Sequence, residues 1–216
     1  MLQYGITMLI LLLIGYIFGC FSTGYFVGKM YGMDIRSSGS GNVGTTNALR
    51  TLGVKAGLIT FLGDVLKALI PTLLVRFVLL QGNDELSYLY TLMIGLGVVM
   101  GHNFPFYLRF KGGKGIAVSA GVIIATTNWI VILVGLVIFV AIVAITRYVS
   151  VGSLIIVWYI PLYTIYHYHS STYFIAMLIV SLIFTILAYI KHSANIKRLL
   201  QGTENKLNFS KKKEAE

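Results

Sequence analysis

Acidic residues are scarce in this chain. Its 216 residues include seven Asp and Glu against 17 Lys and Arg, for a net charge of +10. Charged residues of both signs amount to 11%, where a soluble domain carries roughly 25%. With 57% hydrophobic residues and a mean hydropathy of +0.84, an ordinary soluble domain is excluded, and the chain reads as an all-α polytopic membrane protein. Its one cysteine, Cys20, rules out an internal disulfide framework and a Cys-based zinc site, and its apolar setting reads as an inert buried thiol. No HExxH or comparable cluster points to a metal, and no cofactor is implied. There is no GxSxG elbow and no His-x4-Asp pair, which excludes the hydrolase nucleophile and the dyad of soluble-type acyltransferases. Carboxylates that could serve as a general base are few: only Asp34, Asp64 and Glu204 lie on or near the basic face outside the tail.

What the chain does have is long apolar runs. A helix needs roughly 20 apolar residues to cross a bilayer. The runs predict spans at 4–28, 54–80, 86–103, 113–126, 129–146, 150–167 and 172–191, seven in all. The fourth is short enough for a half-helix or a re-entrant segment. The first lacks a positive flank and a small-residue cleavage site, so it reads as a retained span and not a signal peptide. With seven crossings, fifteen of the seventeen basic residues share one face; the other two, Lys67 and Arg76, fall within span two. The connections on the opposite face, near Asn83–Glu85, Thr126–Asn128 and His167–Ser171, carry no Lys or Arg. The positive charge therefore reads as a topology signal and not a nucleic-acid footprint. It puts the basic face in the cytoplasm, the N-terminus outside and the C-terminus inside. Residues 1–200 then form one integral-membrane domain, and 201–216 a cytoplasmic tail that touches anionic lipid.

Two polar, glycine-rich segments on the basic face interrupt this oily pattern: Arg36–Asn47 and His102–Gly115. Gly39-Ser-Gly-Asn-Val-Gly44 fits GxGxxG, but no strand precedes it, so it is no dinucleotide fingerprint. Its physics still suits an oxyanion, because small residues let backbone N–H groups approach and a helix start adds partial positive charge. A plain connecting loop is the competing reading. Lys111-Gly-Gly-Lys114-Gly115 is not a Walker A loop, and its lysines are either topology signals or cations beside a flexible backbone. Asp64 and Lys67, three apart in span two, share a helix face. They form either a packing ion pair or part of a site, since unpaired charge in lipid is costly. His192 and Asn195 lie one turn apart at the inner end of the last span, with Glu204 beyond. A site rich in Ser, Thr, Asn, Lys and Arg and poor in acid suits phosphate.

Four strings together resemble a known family. Ser38-Gly-Ser40-Gly41-Asn42-Val-Gly-Thr45-Thr-Asn47-Ala-Leu-Arg50 is similar to the first signature of the bacterial acyl-phosphate:glycerol-3-phosphate acyltransferases, the PlsY family. Gly101-His102-Asn-Phe-Pro105 with Phe110-Lys111-Gly-Gly113-Lys114-Gly115 resembles the second. Arg147-Tyr-Val-Ser150-Val-Gly-Ser153 resembles the third, and His192-x-x-Asn195-x-x-Arg198-Leu-x-x-Gly202-x-Glu204 the last. Asp64-x-x-Lys67 also fits. Thr45 departs from the alanine common there. The resemblance implies a seven-span enzyme of the bacterial cytoplasmic membrane. It would move an acyl group from acyl phosphate to the sn-1 hydroxyl of glycerol 3-phosphate, releasing lysophosphatidic acid and phosphate, with its active face cytoplasmic. Transient contact with the soluble enzyme that supplies acyl phosphate would follow. In this reading Ser40, Lys114, His192 and Asn195 are catalytic, and Ser38, Gly41, Asn42, Thr45, Asn47, Arg50, His102, Lys111, Gly113, Ser150 and Glu204 bind substrate or phosphate. Ser40, Asn42, Thr45 and the glycine backbone would cradle the anion with Lys114 and Arg50, above a floor of His192 and Asn195. The proton acceptor is left open between His192, His102 and a substrate phosphate. An acyl-serine at Ser40 or Ser150 is the competing chemistry, though neither has an evident paired base. From another class, an organic-anion transporter is the alternative, but the polar breaks cluster at one face and show no inverted repeat.

Overall fold

The computed structural model describes residues 2–79 and 84–207. The connection expected at residue 83 and the lysines Lys211–Lys213 lie outside the described residues. The described chain is helical: α1 (Leu2–Cys20), α2 (Thr23–Met30), a 3-10 turn (Ile35–Ser37), α3 (Thr45–Leu52), α4 (Val54–Leu74) with a π-helical extension (Val75–Leu79), α5 (Asp84–Asn103), a second 3-10 turn (Phe106–Leu108), α6 (Ile116–Thr126), α7 (Trp129–Thr146), α8 (Val149–Ile156), α9 (Tyr159–Tyr168), α10 (Phe174–Lys191) and α11 (Ser193–Leu200). Six stretches are long and apolar enough to cross a membrane: Gln3–Met30, Val54–Val78, Glu85–Leu108, Trp129–Thr146, Val149–Tyr168 and Phe174–Lys191. The Ile116–Thr126 helix is apolar but shorter.

Helix α5 is the centre of the bundle. Most of its span is buried inside the protein, whereas α7 is mostly exposed. Two small-xxx-small pairs bring α1 and α5 together, Gly15/Gly19 facing Gly97/Gly101. A Cβ on Gly15 would lie 2.2 Å from the Ile94 carbonyl oxygen, and one on Gly101 would lie 2.1 Å from that of Tyr16. Only glycine permits this backbone-to-backbone contact.

Two of the expected spans are broken helices. The run at 4–28 divides at Phe21-Ser22, where the Ser22 N–H donates to the Tyr107 hydroxyl (3.2 Å) and that hydroxyl donates to the Cys20 carbonyl (2.9 Å). One phenol thus replaces the helical bonds lost at the kink. The run at 150–167 divides at Val157–Trp158. Its cause is Pro161 in the first turn of α9, which has no N–H to offer the carbonyl four residues back. That carbonyl, of Val157, accepts from the Thr185 hydroxyl of α10 instead (2.9 Å).

Helix α6 has 11 residues and α7 has 18, which is about 16 Å against about 27 Å of rise. A tight turn at Thr127–Asn128 joins them. At the turn end of α6 the Arg76 guanidinium donates to the Ala125 carbonyl, supplying a partner to a helix terminus that has none of its own.

Candidate functional site

The first polar segment is organised by one buried amide. Asn47, on the first turn of α3, accepts the Ser40 N–H at Oδ1 (2.8 Å). It donates from Nδ2 to the carbonyls of Ile35 (3.1 Å) and Ser38 (3.0 Å). Gly39 and Gly41 turn the chain at φ +61° and +70°, where a β-carbon would be strained. Asn42 Oδ1 accepts the Gly44 N–H (2.9 Å) and so fixes the entry to α3. The Thr45 hydroxyl is buried with no protein partner.

The second segment folds back on the end of α5. The Gly113 N–H donates to the His102 carbonyl (3.0 Å), and the Gly112 N–H (3.1 Å) and Lys191 Nζ (2.9 Å) both donate to that of Asn103. A Cβ on Gly113 would lie 2.0 Å from His102 Nε2, so the double glycine is a steric requirement. It lets Lys114 reach inward just before α6. Behind it, Lys67 Nζ donates to Asp64 Oδ1 (2.7 Å), the Phe21 carbonyl (2.8 Å) and His102 Nδ1 (2.8 Å), and Thr23 adds a hydroxyl to Asp64 (3.0 Å). The three N–H bonds of a buried ammonium are all engaged.

The floor comes from the C-terminal part of the chain. Lys114 Nζ donates to Asn195 Oδ1 (2.5 Å), and Asn195 Nδ2 donates to Glu204 Oε1 (2.6 Å). Ser150 (3.0 Å) and Arg198 (2.7 Å) also donate to the Glu204 carboxylate. Burial alone would raise the Glu204 carboxyl, but the bonds from Asn195, Arg198 and Ser150 hold it below the ordinary range. Burial lowers the Lys114 ammonium to about 8; Glu204 opposes this, and Arg198 and Arg50 add to it. His192 Nδ1 lies 2.7 Å from the Ala188 carbonyl. A carbonyl only accepts, so Nδ1 carries the proton and Nε2 keeps a lone pair. Burial, then Lys114, lower His192 to about 4.

These pieces meet in one cavity of about 560 Å³. Ser40, Asn42, Thr45, Asn47, Arg50, His102, Lys114, Ser150, His192, Asn195 and Glu204 all line it. Ser38, Gly41, Lys111 and Gly113 do not. Ser38 and Gly41 face each other across their own turn, Gly113 is packed under His102, and Lys111 is exposed. Asn47 lines the wall, but its amide is engaged by the loop it organises. Seven polar lining residues lie outside the catalytic and binding set read from the sequence: Thr46, Asp64, Ser119, Ser153, Tyr159, Arg198 and Asn205. Arg198 follows Asn195 by three residues on one helix face, which was a usable signal. Asn205 had none, because it reaches the cavity through a non-helical return. The remaining wall is apolar, contributed mainly by α6 to α9. Among the described residues, no group of three or more His, Cys, Asp or Glu is placed to hold a metal.

A family model described as glycerol-3-phosphate acyltransferase matches residues 9–202. A glycerol-3-phosphate acyltransferase of Clostridioides difficile is 45% identical over 205 residues, covering 94% of this chain and 97% of that protein. One of Trichlorobacter lovleyi is 40% identical over 191 residues, covering 88% and 93%. The fold is similar to a crystal structure of PlsY, an integral membrane glycerol 3-phosphate acyltransferase, in its glycerol 3-phosphate form. The TM-score is 0.79 at 32% identity, covering 93% of this chain and 96% of that one. The lysophosphatidic acid form of the same enzyme gives 0.77.

Proposed function

The chain belongs to the glycerol-3-phosphate acyltransferase family of integral membrane enzymes, and we propose that its acyl donor is acyl phosphate and its acceptor the sn-1 hydroxyl of glycerol 3-phosphate. The observation that carries this reading is the two-part cavity. One end gathers Lys114, Arg50, short hydroxyls and the start of α3; the rest is mainly apolar. Both substrates carry phosphate, one carries an acyl chain, and such a cavity suits each part.

The donor is a mixed anhydride, so the protein has mainly to position the reactants and stabilise charge. Ser40, Asn42, Thr45 and the first-turn N–H groups of α3 cradle phosphate with Lys114 and Arg50. The unpartnered Thr45 hydroxyl fits that role. His192 Nε2 accepts the hydrogen bond of the sn-1 hydroxyl, and Asn195 orients it. The hydroxyl oxygen bonds to the acyl carbon, the carbon–oxygen bond to phosphate breaks, and phosphate leaves. Both carboxylates at the cavity are occupied: Glu204 by Ser150, Asn195 and Arg198, and Asp64 by Lys67 and Thr23. His192, held near 4, is a poor proton store. The departing oxygen of the leaving phosphate takes the proton, so that phosphate leaves as its hydrogen phosphate dianion.

The proposed topology counts α6 as a short fourth crossing among seven, with the N-terminus outside and the cavity's polar end at the cytoplasmic face of the cytoplasmic membrane. The soluble supplier of acyl phosphate would meet that face. The membrane unit includes residues 201–207 as well as 1–200, since Glu204 and Leu207 line the cavity. The test is a reaction of purified protein with acyl phosphate and glycerol 3-phosphate, with acyl-coenzyme A as the comparison donor. Lysophosphatidic acid and phosphate in equal amounts from acyl phosphate support the reading. Product from acyl-coenzyme A alone, or phosphate without lysophosphatidic acid, overturns it.

A further inference from the structure

The apolar part of the cavity has a built end. Its lining residues run away from the polar end in three stretches: Ile116 to Ile124 on α6, Phe139 to Ile132 on α7, and Ser150 to Tyr159 across α8 and α9. Each of these runs covers about 10–14 Å of helical rise. Tyr159 lies where they finish. Its hydroxyl donates to the Val131 carbonyl in the first turn of α7 (2.6 Å). Its ring crosses to α7 at Gly135, where an added Cβ would meet ring carbons at 3.2 Å. Tyr159, Gly135, Ile132 and Ile160 all line the cavity there. Ring and glycine are fitted to one another: the glycine lets the ring lie close, and the hydrogen bond pins its far edge. The Pro161 break sets the ring at the first residue of α9.

We propose that Tyr159, seated on Gly135, is the end stop of the acyl groove and sets the longest acyl chain the enzyme takes. This rests on the acyl-donor reading above. A chain that reaches the ring fills the groove. A longer one must displace a side chain held by a hydrogen bond and by packing. Discrimination by an apolar pocket is about tenfold or more per misfitting methylene, so one fixed ring is enough to define a cutoff.

The test is internal competition. The enzyme is given glycerol 3-phosphate and an equal mixture of a shorter and a longer saturated acyl phosphate, and the product ratio is read by mass spectrometry. The ratio does not depend on how much enzyme is folded. Tyr159→Ala is expected to raise the long-to-short product ratio about tenfold. Tyr159→Phe keeps the ring and loses its anchor, and is expected to raise the ratio less. Gly135→Val pushes the ring into the groove and is expected to lower it. A wild-type ratio in Tyr159→Phe and Gly135→Val overturns the end stop, whatever Tyr159→Ala does. If the wild-type protein makes no lysophosphatidic acid from either donor, the donor reading has failed instead.

Discussion

Lys114 is the residue on which the polar end turns. It is the cation just before the start of α6, and it reaches Asn195 directly. Lys114→Ala is expected to abolish turnover with the protein still folded; full activity in a well-folded variant, checked by a thermal unfolding scan, would remove Lys114 from the cradle. Its ammonium is held at about 8, so in the free enzyme the charge is complete below that value and is lost as pH rises through it. The alkaline limb of kcat/KM, which reports the free enzyme, should therefore fall above about pH 8. Lys114→Arg, charged beyond pH 12, should move that limb upward even if its rate is lower. Asn47 acts differently. Asn47→Ala strands the Ser40 N–H and two carbonyls, and should cost about 1–3 kcal/mol of stability along with activity, read as a lower melting temperature in detergent. The difference between these residues was not visible in the sequence. Both sit in glycine-rich strings full of donors, and nothing in their spacing says that one amide serves the loop while one ammonium serves the cavity.

At the scale of elements, the seam between α1 and α5 holds the bundle's centre. Gly101→Val drives a side chain into the Tyr16 carbonyl and should destabilise the protein by at least the roughly 1–3 kcal/mol of an overpacked core. Gly5→Ala, on the same α1 but with open space beside it, should leave the melting temperature unchanged. The helices were largely legible: hydropathy predicted 129–146 as a span, and α7 is Trp129–Thr146. The breaks were not, for two reasons. Pro161 was present in the sequence, but its effect shows only once the Val157 carbonyl finds Thr185. The kink at Phe21-Ser22 depends on Tyr107, 85 residues away, and no local pattern encodes such a partner. The glycines of the α1–α5 seam recur every four residues in both helices and could have been read as a contact.

At the scale of the molecule, four strings spread from Ser38 to Glu204 converge on one cavity. Their shared face was inferred from charge, because basic residues sort by side whatever the details of packing. Cysteine labelling checks the orientation in a Cys20→Ser background. Lys197→Cys should react with an impermeant thiol reagent in inverted vesicles and His169→Cys in right-side-out ones. The reverse pattern would turn the molecule over. The return of residues 201–207 onto the end of α7, where the Leu207 N–H donates to the Arg147 carbonyl (2.7 Å), also governs when the cavity can exist during synthesis. Ser40 leaves the ribosome long before Glu204. At about 5–20 residues per second, on the order of 10–30 s separate the two. The first loop can wait, because Asn47 already satisfies it from within. Asn195 and Glu204, by contrast, reach Lys114 only once synthesis has passed residue 204. The nascent protein therefore remains without its floor until α11 and the return behind it have been made, and a ribosome stalled before that point leaves an inserted but inactive chain.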